Sequence, residues 1–355
     1  MSLSGQKMEI PSQMRSAVLS GPRRIEIVEA PVPMPGPGQV LVRLRAVGIC
    51  GSDVHYYAEG RIGNAAVSYP FILGHEPAGE IAALGEGVEG LAVGTRVALE
   101  PAYSCGVCPA CRQGRPNCCP SVQFLGTPPT AGVFEEYHLF LAGQCAVLPD
   151  EISFEAAAAL EPMAVALHAV NLARPMLGVR VAVMGGGPVG MLTVMAARLA
   201  GASFVALTEP VPERRALAAR FGADLALDPF AGDARAEIRR AAGEIDVAFE
   251  AAGTQEAADD ATCIVGPGGT AVIIGIPSGD RISLWAHELR RKELNLIMAR
   301  RSNQNLEAAI RLARAGRIDP GLIVTHRFPL DRLAEAMELV HAHGGGVLKA
   351  MAIMG

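Results

Sequence analysis

The sequence has no long run of Lys or Arg. Its 31 basic side chains are outnumbered by 36 acidic ones, and the formal net charge is −5. A broad nucleic-acid surface is excluded on that ground, because phosphate binding needs clustered positive charge. The N-terminal stretch MSLSGQKMEIPSQMRSAVL has no apolar core segment, so it does not read as a secretory signal, and its first residues are set aside from fold reasoning. A membrane span is not expected either. Val181 to Ala197 carries no charge, but the GGGP inside it breaks a helix in two. A short β-branched run and then a helical run remain, so strand, turn and helix fit better than a span. Internal repeats and low-complexity linkers are also missing. The expectation is a soluble, cytoplasmic protein.

What is there suits a compact enzyme. A chain of 355 residues is long enough for two domains with full cores, half of its residues are hydrophobic, and 40 are glycine. Eight cysteines could mean disulfides in a secreted protein. With no signal segment, and with five of them inside PAYSCGVCPACRQGRPNCCP, metal ligation is the better reading.

The texture changes along the chain. From about Met14 to Asp150 it is strand-rich, with QVLVRLRAVGI alternating apolar and polar residues and with turns at PMPGPG and GEGVEG. From about Phe154 it becomes Ala-rich and helical in EAAAALEPMAVALHAV. Then VRVAVMGGGPVGMLTVMAARLAG, FVALTE and PERRALAARFGAD give strand, turn, helix, strand, helix, the order of a parallel α/β sheet. IDVAFEAAG and GGTAVIIGIP read as further strands, and LEAAIRLARAGRI with VTHRF as a helix and a strand.

Gly185, Gly187 and Gly190 form G-x-G-x-x-G directly after the strand VRVAVM. The first glycine allows a tight turn, the second lets backbone approach a pyrophosphate, and the third permits close helix–strand packing. The helix N-terminus, where Val189 lies, then faces the phosphates. Glu209 ends the next strand about twenty residues later, where a carboxylate binds a ribose 2′-hydroxyl. That favours NAD over NADP, since Glu209 repels a 2′-phosphate; Arg214, five residues on, complicates the choice. The plain alternative is that these glycines serve only a tight βα turn.

Two metal constellations stand out. Cys105, Cys108 and Cys111 are three apart and Cys119 lies eight beyond. Four thiolates close a tetrahedral shell around zinc and leave no place for substrate, so this site is structural. An iron–sulfur cluster is the rival, but the last gap is too long and no second cysteine set exists. Either Cys118 or Cys119 could be the fourth ligand. The second constellation is dispersed: GICGSDVHY holds Cys50, Ser52, His55 and Tyr56, GHEPAG holds His75 and Glu76, and ALEPMA holds Glu161. One thiolate, one imidazole and one or two carboxylates make a zinc site with an open position, the catalytic kind.

GHEPAGEIAALGEGV resembles the GHE signature of the zinc-dependent medium-chain alcohol dehydrogenases. VGICGSDVHYYAEGRIGN, LEP and VTHRFPL narrow the likeness to their polyol branch, the sorbitol and xylitol dehydrogenases, and it runs over almost the whole chain. The resemblance implies an α/β protein of two domains, a β-rich GroES-like catalytic domain over 1–163 and 300–355 and a Rossmann NAD-binding domain over 164–299. It implies that Cys50, His75 and Glu76 bind a catalytic zinc, with Glu161 as a further ligand or bonded to zinc-bound water. Two zincs per subunit, NAD, a polyol substrate and a homotetramer follow from the same likeness. The implied reaction takes a secondary hydroxyl to a ketose, with proton loss through Ser52 and His55 or through water held by Glu161, and hydride transfer to NAD. Tyr56, Phe124, Thr127 and Arg300 are expected at the substrate, and Gly275 and Ile276 near the nicotinamide.

Two departures from the animal sorbitol dehydrogenase pattern are visible. Arg301 replaces a tyrosine beside Arg300, and the TPPTAG loop replaces an acid–glycine pair, so the particular polyol is left open. Two rival readings stand beside the polyol dehydrogenase. One is the same machinery acting on another secondary alcohol, such as butanediol or threonine. The other is a non-catalytic nucleotide-binding or redox-sensing protein with only the structural zinc.

Overall fold

Residues 9–173, 175–277 and 281–355 are described by the computed structural model, so the reading of the first eight residues lies outside the described ones. The strands include β1 (Gln13–Gly21), β2 (Arg24–Pro31), β3 (Gln39–Gly48), β4 (Glu76–Leu84), β5 (Arg96–Leu99), β6 (Tyr137–Leu141), β7 (Cys145–Val147), β8 (Arg180–Met184), β9 (Phe204–Thr208), β10 (Leu225–Leu227), β11 (Ile245–Glu250), β12 (Val265–Ile273), β13 (Asn295–Met298), β14 (Val324–Pro329) and β15 (Lys349–Ile353). The helices include α1 (Gly51–Glu59), α2 (Leu160–Leu172), α3 (Pro188–Leu199), α4 (Gln255–Ile264), α5 (Leu306–Arg314) and α6 (Leu333–His341).

The chain divides into two compact units. The first comprises Met1–Glu161, Leu306–Arg314 and Asp319–Gly355, and the second Pro162–Asn305 with Ala315–Ile318. The first unit is built around a seven-stranded sheet in the order β7-β5-β4-β3-β15-β14, with β6 also paired to β3. β3 is the hub. Its sequence alternates only from Val42 to Ala46; Val40, Leu41 and Val42 are consecutive and all fully buried, because apolar side chains cover both faces of the strand. The core there joins Val40, Val42, Leu44, Phe134 and Phe140 to Leu333 and Met337 of α6 and to Ala350 and Ala352 of β15. Each of the Val, Leu, Phe and Met side chains contributes about 1.5–3 kcal/mol when fully buried. The final strands of the chain therefore complete the sheet begun by its first third.

The second unit holds a parallel sheet in the order β10-β9-β8-β11-β12-β13. The order turns round at β8, the switch point where an open α/β sheet leaves a crevice at its carboxyl edge. Burial runs unbroken from Val181 to Met184, as a strand covered on both faces requires. The segment expected as one helix after β9 is two short pieces, Pro212–Arg215 and a 3₁₀ turn Ala218–Phe221. From Leu217 on, its backbone bonds tighten to the i→i−3 pattern. Among the described residues, no helix is long and apolar enough to cross a membrane.

Candidate active site and metal centres

Cys50 is the N-cap of α1, in extended backbone. Asp53, three residues on and fully buried, accepts the N–H of Cys50 at 3.0 Å through Oδ2 and the N–H of Gly74 at 3.0 Å through Oδ1. One carboxylate therefore ties the peptide that carries Cys50 to the peptide before His75. It stands in the first turn of a helix, where the dipole favours negative charge. The same Oδ1 lies 3.4 Å from Nδ1 of His75.

The register of the central sheet does the rest. Gly48 of β3 faces Glu76, the first residue of β4, so the Cys50 end of one strand meets the His75–Glu76 end of the next. One ligand atom from each of Cys50, His75 and Glu76 lies within 4.8 Å of the others. Glu76 is fully buried and Lys349 nearly so; the Lys349 ammonium donates to Oε1 of Glu76 at 2.6 Å and to Oε2 at 2.8 Å. Thiolate, imidazole and one carboxylate are a donor set that fits zinc and leaves a fourth position open. Burial alone would lower the His75 pKa, but the Asp53 carboxylate and the Cys50 sulfur outweigh it and hold it well above the usual value. Ligation needs the neutral ring, so a cation binding here displaces a proton.

Glu161, in the first turn of α2, is buried beside this cluster but is not one of its three close donors. Burial pushes its carboxyl up to about 8; the charges of Glu76 and Glu100 add to that, while His75 and Lys349 pull the other way. Phe124 packs its ring 5.1 Å from that of His75. On α1, Tyr56 is buried and Ser52 half-buried, while the partly exposed His55 has Nδ1 3.3 Å from Oε1 of Glu59. Thr127 is half-buried in the turn that follows Phe124, with its N–H donating to the Phe124 carbonyl at 3.0 Å. Arg300 is exposed, past the end of β13, and belongs to the second unit.

Two residues of the cluster escaped the sequence reading, Asp53 and Lys349. An acid three residues past a helix start is a legible capping signal. Nothing local marks Lys349, which bonds a residue 273 positions away.

In the second unit, Gly185 leaves β8 with φ +107°, a backbone conformation that favours glycine. A Cβ on Gly190 would collide with the carbonyl oxygen of Gly185, so the third glycine is required by close packing of α3. Gly187 is the N-cap of that helix and Val189 lies in its first turn. Glu209 is buried; its carboxylate accepts the N–H of Gly186 at 2.8 Å and that of Val211 at 2.9 Å. The acid thus holds the glycine turn at the carboxyl end of β9. Arg214 is buried too, its pKa lowered by that burial against the pull of Glu209. Glu250 ends β11 and accepts the N–H groups of Ala252, Gly253 and Gly275, which pins the loop that carries Gly275 and the half-exposed Ile276.

The cysteine run folds into the other cluster. One short helical turn, Pro109–Arg112, brings Cys108 and Cys111 together with Sγ atoms 3.5 Å apart, and Cys105 and Cys119 meet at 3.6 Å. All four sulfurs lie within 4.8 Å of one another. Backbone N–H groups of Cys105, Cys108 and Cys111 point at neighbouring sulfurs, as thiolates favour. The N–H groups of Val107 and Cys108 lower the Cys105 thiol pKa to about 6. Four sulfurs fit a closed zinc shell. Cys119 is buried in this cluster, whereas Cys118 is exposed and outside it.

Comparison with known proteins agrees with this anatomy. Residues 36–150 match the model of the alcohol dehydrogenase GroES-like domain, and residues 188–315 that of the zinc-binding dehydrogenases. A sorbitol dehydrogenase of Bacillus subtilis is 40% identical over 344 residues, covering 96% of this chain and 98% of the relative. A zinc-binding dehydrogenase from Sinorhizobium meliloti, solved bound to NADP, superposes with a TM-score of 0.89 at 32% identity over 97% of this chain and all of the other. The 2R,3R-butanediol dehydrogenase of Bacillus subtilis does so at 0.87 and 31%, over 96% and 99%.

Proposed function

The chain belongs to the zinc-dependent medium-chain alcohol dehydrogenase family, and from that premise we propose that it oxidises a secondary hydroxyl of a polyol of the sorbitol or xylitol type to a ketose, with NAD as acceptor. The observation that carries this reading is the carboxylate-rich donor set, Cys50, His75 and Glu76 with Glu161 buried beside them. Oxygen donors make a metal site harder and suit hydroxyl-rich ligands. The full-length likeness to a sorbitol dehydrogenase supports the same substrate class.

Cys50, His75 and Glu76 would hold one zinc, and Cys105, Cys108, Cys111 and Cys119 a second that shapes their loop. When bound, the first zinc supplies Lewis acidity that favours loss of the hydroxyl proton, and NAD supplies the hydride acceptor. Asp53 holds the backbone of Cys50 and places its negative charge 3.4 Å from Nδ1 of His75. The proton leaves through Ser52 and His55, both half-buried, or through a water held by Glu161. Tyr56, Phe124 and Thr127 would supply substrate contacts, and the family resemblance gives the same role to Arg300. The glycine turn at Gly185, Gly187, Val189 and Gly190 would hold the pyrophosphate, Glu209 with Arg214 the adenosine ribose, and Gly275 and Ile276 the nicotinamide.

A second reading, the same chemistry on butanediol or threonine, is supported by the butanediol dehydrogenase likeness. A panel of D-sorbitol, xylitol, L-threonine and 2,3-butanediol, each with NAD⁺ and NADP⁺, separates the two. Turnover of polyols with NAD⁺ is expected, and turnover of the non-polyols alone would sink the proposal.

We also propose a cytoplasmic homotetramer. Zinc-ligating thiols persist in a reducing compartment. The edge strand β13 exposes Leu296 and Met298, which suits pairing with a second copy. Sedimentation equilibrium gives the subunit number directly.

A further inference from the structure

Lys349 is the most unusual charge in the first unit. It opens β15 with only 2% of its surface exposed. A buried ammonium is costly unless all of its donors are used. Here they are: Nζ bonds Oε1 of Glu76 at 2.6 Å, Oε2 at 2.8 Å and the carbonyl oxygen of Ile49 at 3.0 Å. Three N–H groups meet three acceptors, and none is left over.

The acceptors share one property. Glu76 is a member of the mixed-ligand cluster, and Ile49 is the residue before Cys50, another member. Lys349 therefore touches the side chain of one metal donor and the peptide leading to a second. The sheet makes this possible. β15 lies beside β3 and β3 beside β4, with Met351 facing Gly48 and Gly48 facing Glu76. Gly48 has no side chain, so the Glu76 carboxylate lies over its backbone, within reach of Lys349. Among the described residues, Lys349 is the carboxylate's hydrogen-bond partner, and its direction is set from that side.

We propose that Lys349 is a positioning residue of the mixed-ligand metal centre, acting through Glu76. The proposal rests on reading Cys50, His75 and Glu76 as a zinc site. It does not depend on which alcohol is oxidised. Without Lys349 the carboxylate loses both bonds that aim it, and the Ile49 carbonyl loses its partner. Outer partners of this kind set metal affinity by about 10–100-fold.

The test measures zinc retention on the full-length protein, by competition with a chromophoric chelator, for wild type, Lys349→Met, Lys349→Arg, Glu76→Gln and the double variant. Zinc at the cysteine cluster serves as the internal control for folding. Lys349→Met should release the other zinc at least about tenfold more readily, with Lys349→Arg recovering part of the loss. The double variant should match Glu76→Gln within about twofold, because two groups that act as one unit are not additive. Wild-type retention in Lys349→Met, or a further loss in the double variant beyond Glu76→Gln, would overturn the proposal. If Lys349→Met does not fold, the double variant against Glu76→Gln decides, since removing both partners leaves no unpaired buried charge. Polyol turnover with unchanged zinc retention in Lys349→Met defeats this inference alone. Altered zinc retention in a protein that ignores polyols defeats only the substrate reading.

Discussion

Gly48 and Glu76 face each other across β3 and β4, and a Cβ built on Gly48 would collide with Oε2 of Glu76. A glycine in the middle of a sheet row thus decides where a candidate metal ligand can lie. Gly48→Ala should push the carboxylate off its seat, lower zinc content at the mixed-ligand site and cut kcat by about tenfold or more. Metal analysis beside a turnover assay checks it, and an alanine variant with full zinc and full kcat would contradict the geometry.

The two clusters make opposite predictions. Cys50→Ser should remove one zinc per subunit and all turnover, while leaving the melting temperature nearly unchanged. Cys108→Ser should remove the other zinc and lower Tm by about 5 °C or more, because binding to a structural site is folding free energy. Scanning calorimetry with metal analysis separates them. A Cys108→Ser protein that keeps its fold and the second zinc yet loses all turnover would show the two roles reversed.

On the proposed function, cofactor choice would rest on Glu209. Its carboxylate already accepts two backbone N–H groups, from Gly186 and Val211, so it is held beside the glycine turn, where its charge would repel a 2′-phosphate. NAD⁺ should therefore be preferred in kcat/KM, despite the neighbouring Arg214 and an NADP-bound structural relative. Glu209→Gln keeps one acceptor for the loop and removes the charge. It should narrow the NAD⁺ to NADP⁺ ratio by about tenfold. An unchanged ratio would move the discrimination elsewhere.

Glu100 predicts a pH effect on stability. Burial pushes its carboxyl up to about 7, against the N–H of Ala102, which pulls it down. The folded pKa is above the unfolded one, so the folded state binds the proton more tightly. Its contribution to stability is complete below the unfolded value of about 4.5 and is lost as pH rises through about 7. Urea unfolding at a series of pH values should show wild type losing stability over that window relative to Glu100→Gln. Parallel curves for the two proteins would rule the effect out.

Much of the parallel sheet was legible in the residues. VRVAVM, the three glycines and the helix after them are contiguous, and each has a local physical reason, the tight turn, the close packing and the apolar strand covered on both faces. The cysteine run was legible for the same reason: three-residue spacing on one short helical turn gathers the sulfurs without help from elsewhere. Where spacing alone could not choose between Cys118 and Cys119, the fold could. It buries Cys119 against Cys105 and turns Cys118 outward.

The sequence by itself determined the local chemistry of this protein: a phosphate-ready glycine turn after a strand, an acid at the next strand's end, and four thiols within one loop. Backbone sterics and short spacing suffice for each. Only the tertiary structure decided how the mixed-ligand centre is held. Cys50, His75 and Glu76 converge because β3 and β4 pair in one register, and Lys349 reaches them because the last strand of the chain pairs with β3. A buried ammonium aimed at Glu76 is a product of strand pairing across some 270 residues, and no local pattern in a chain can encode it.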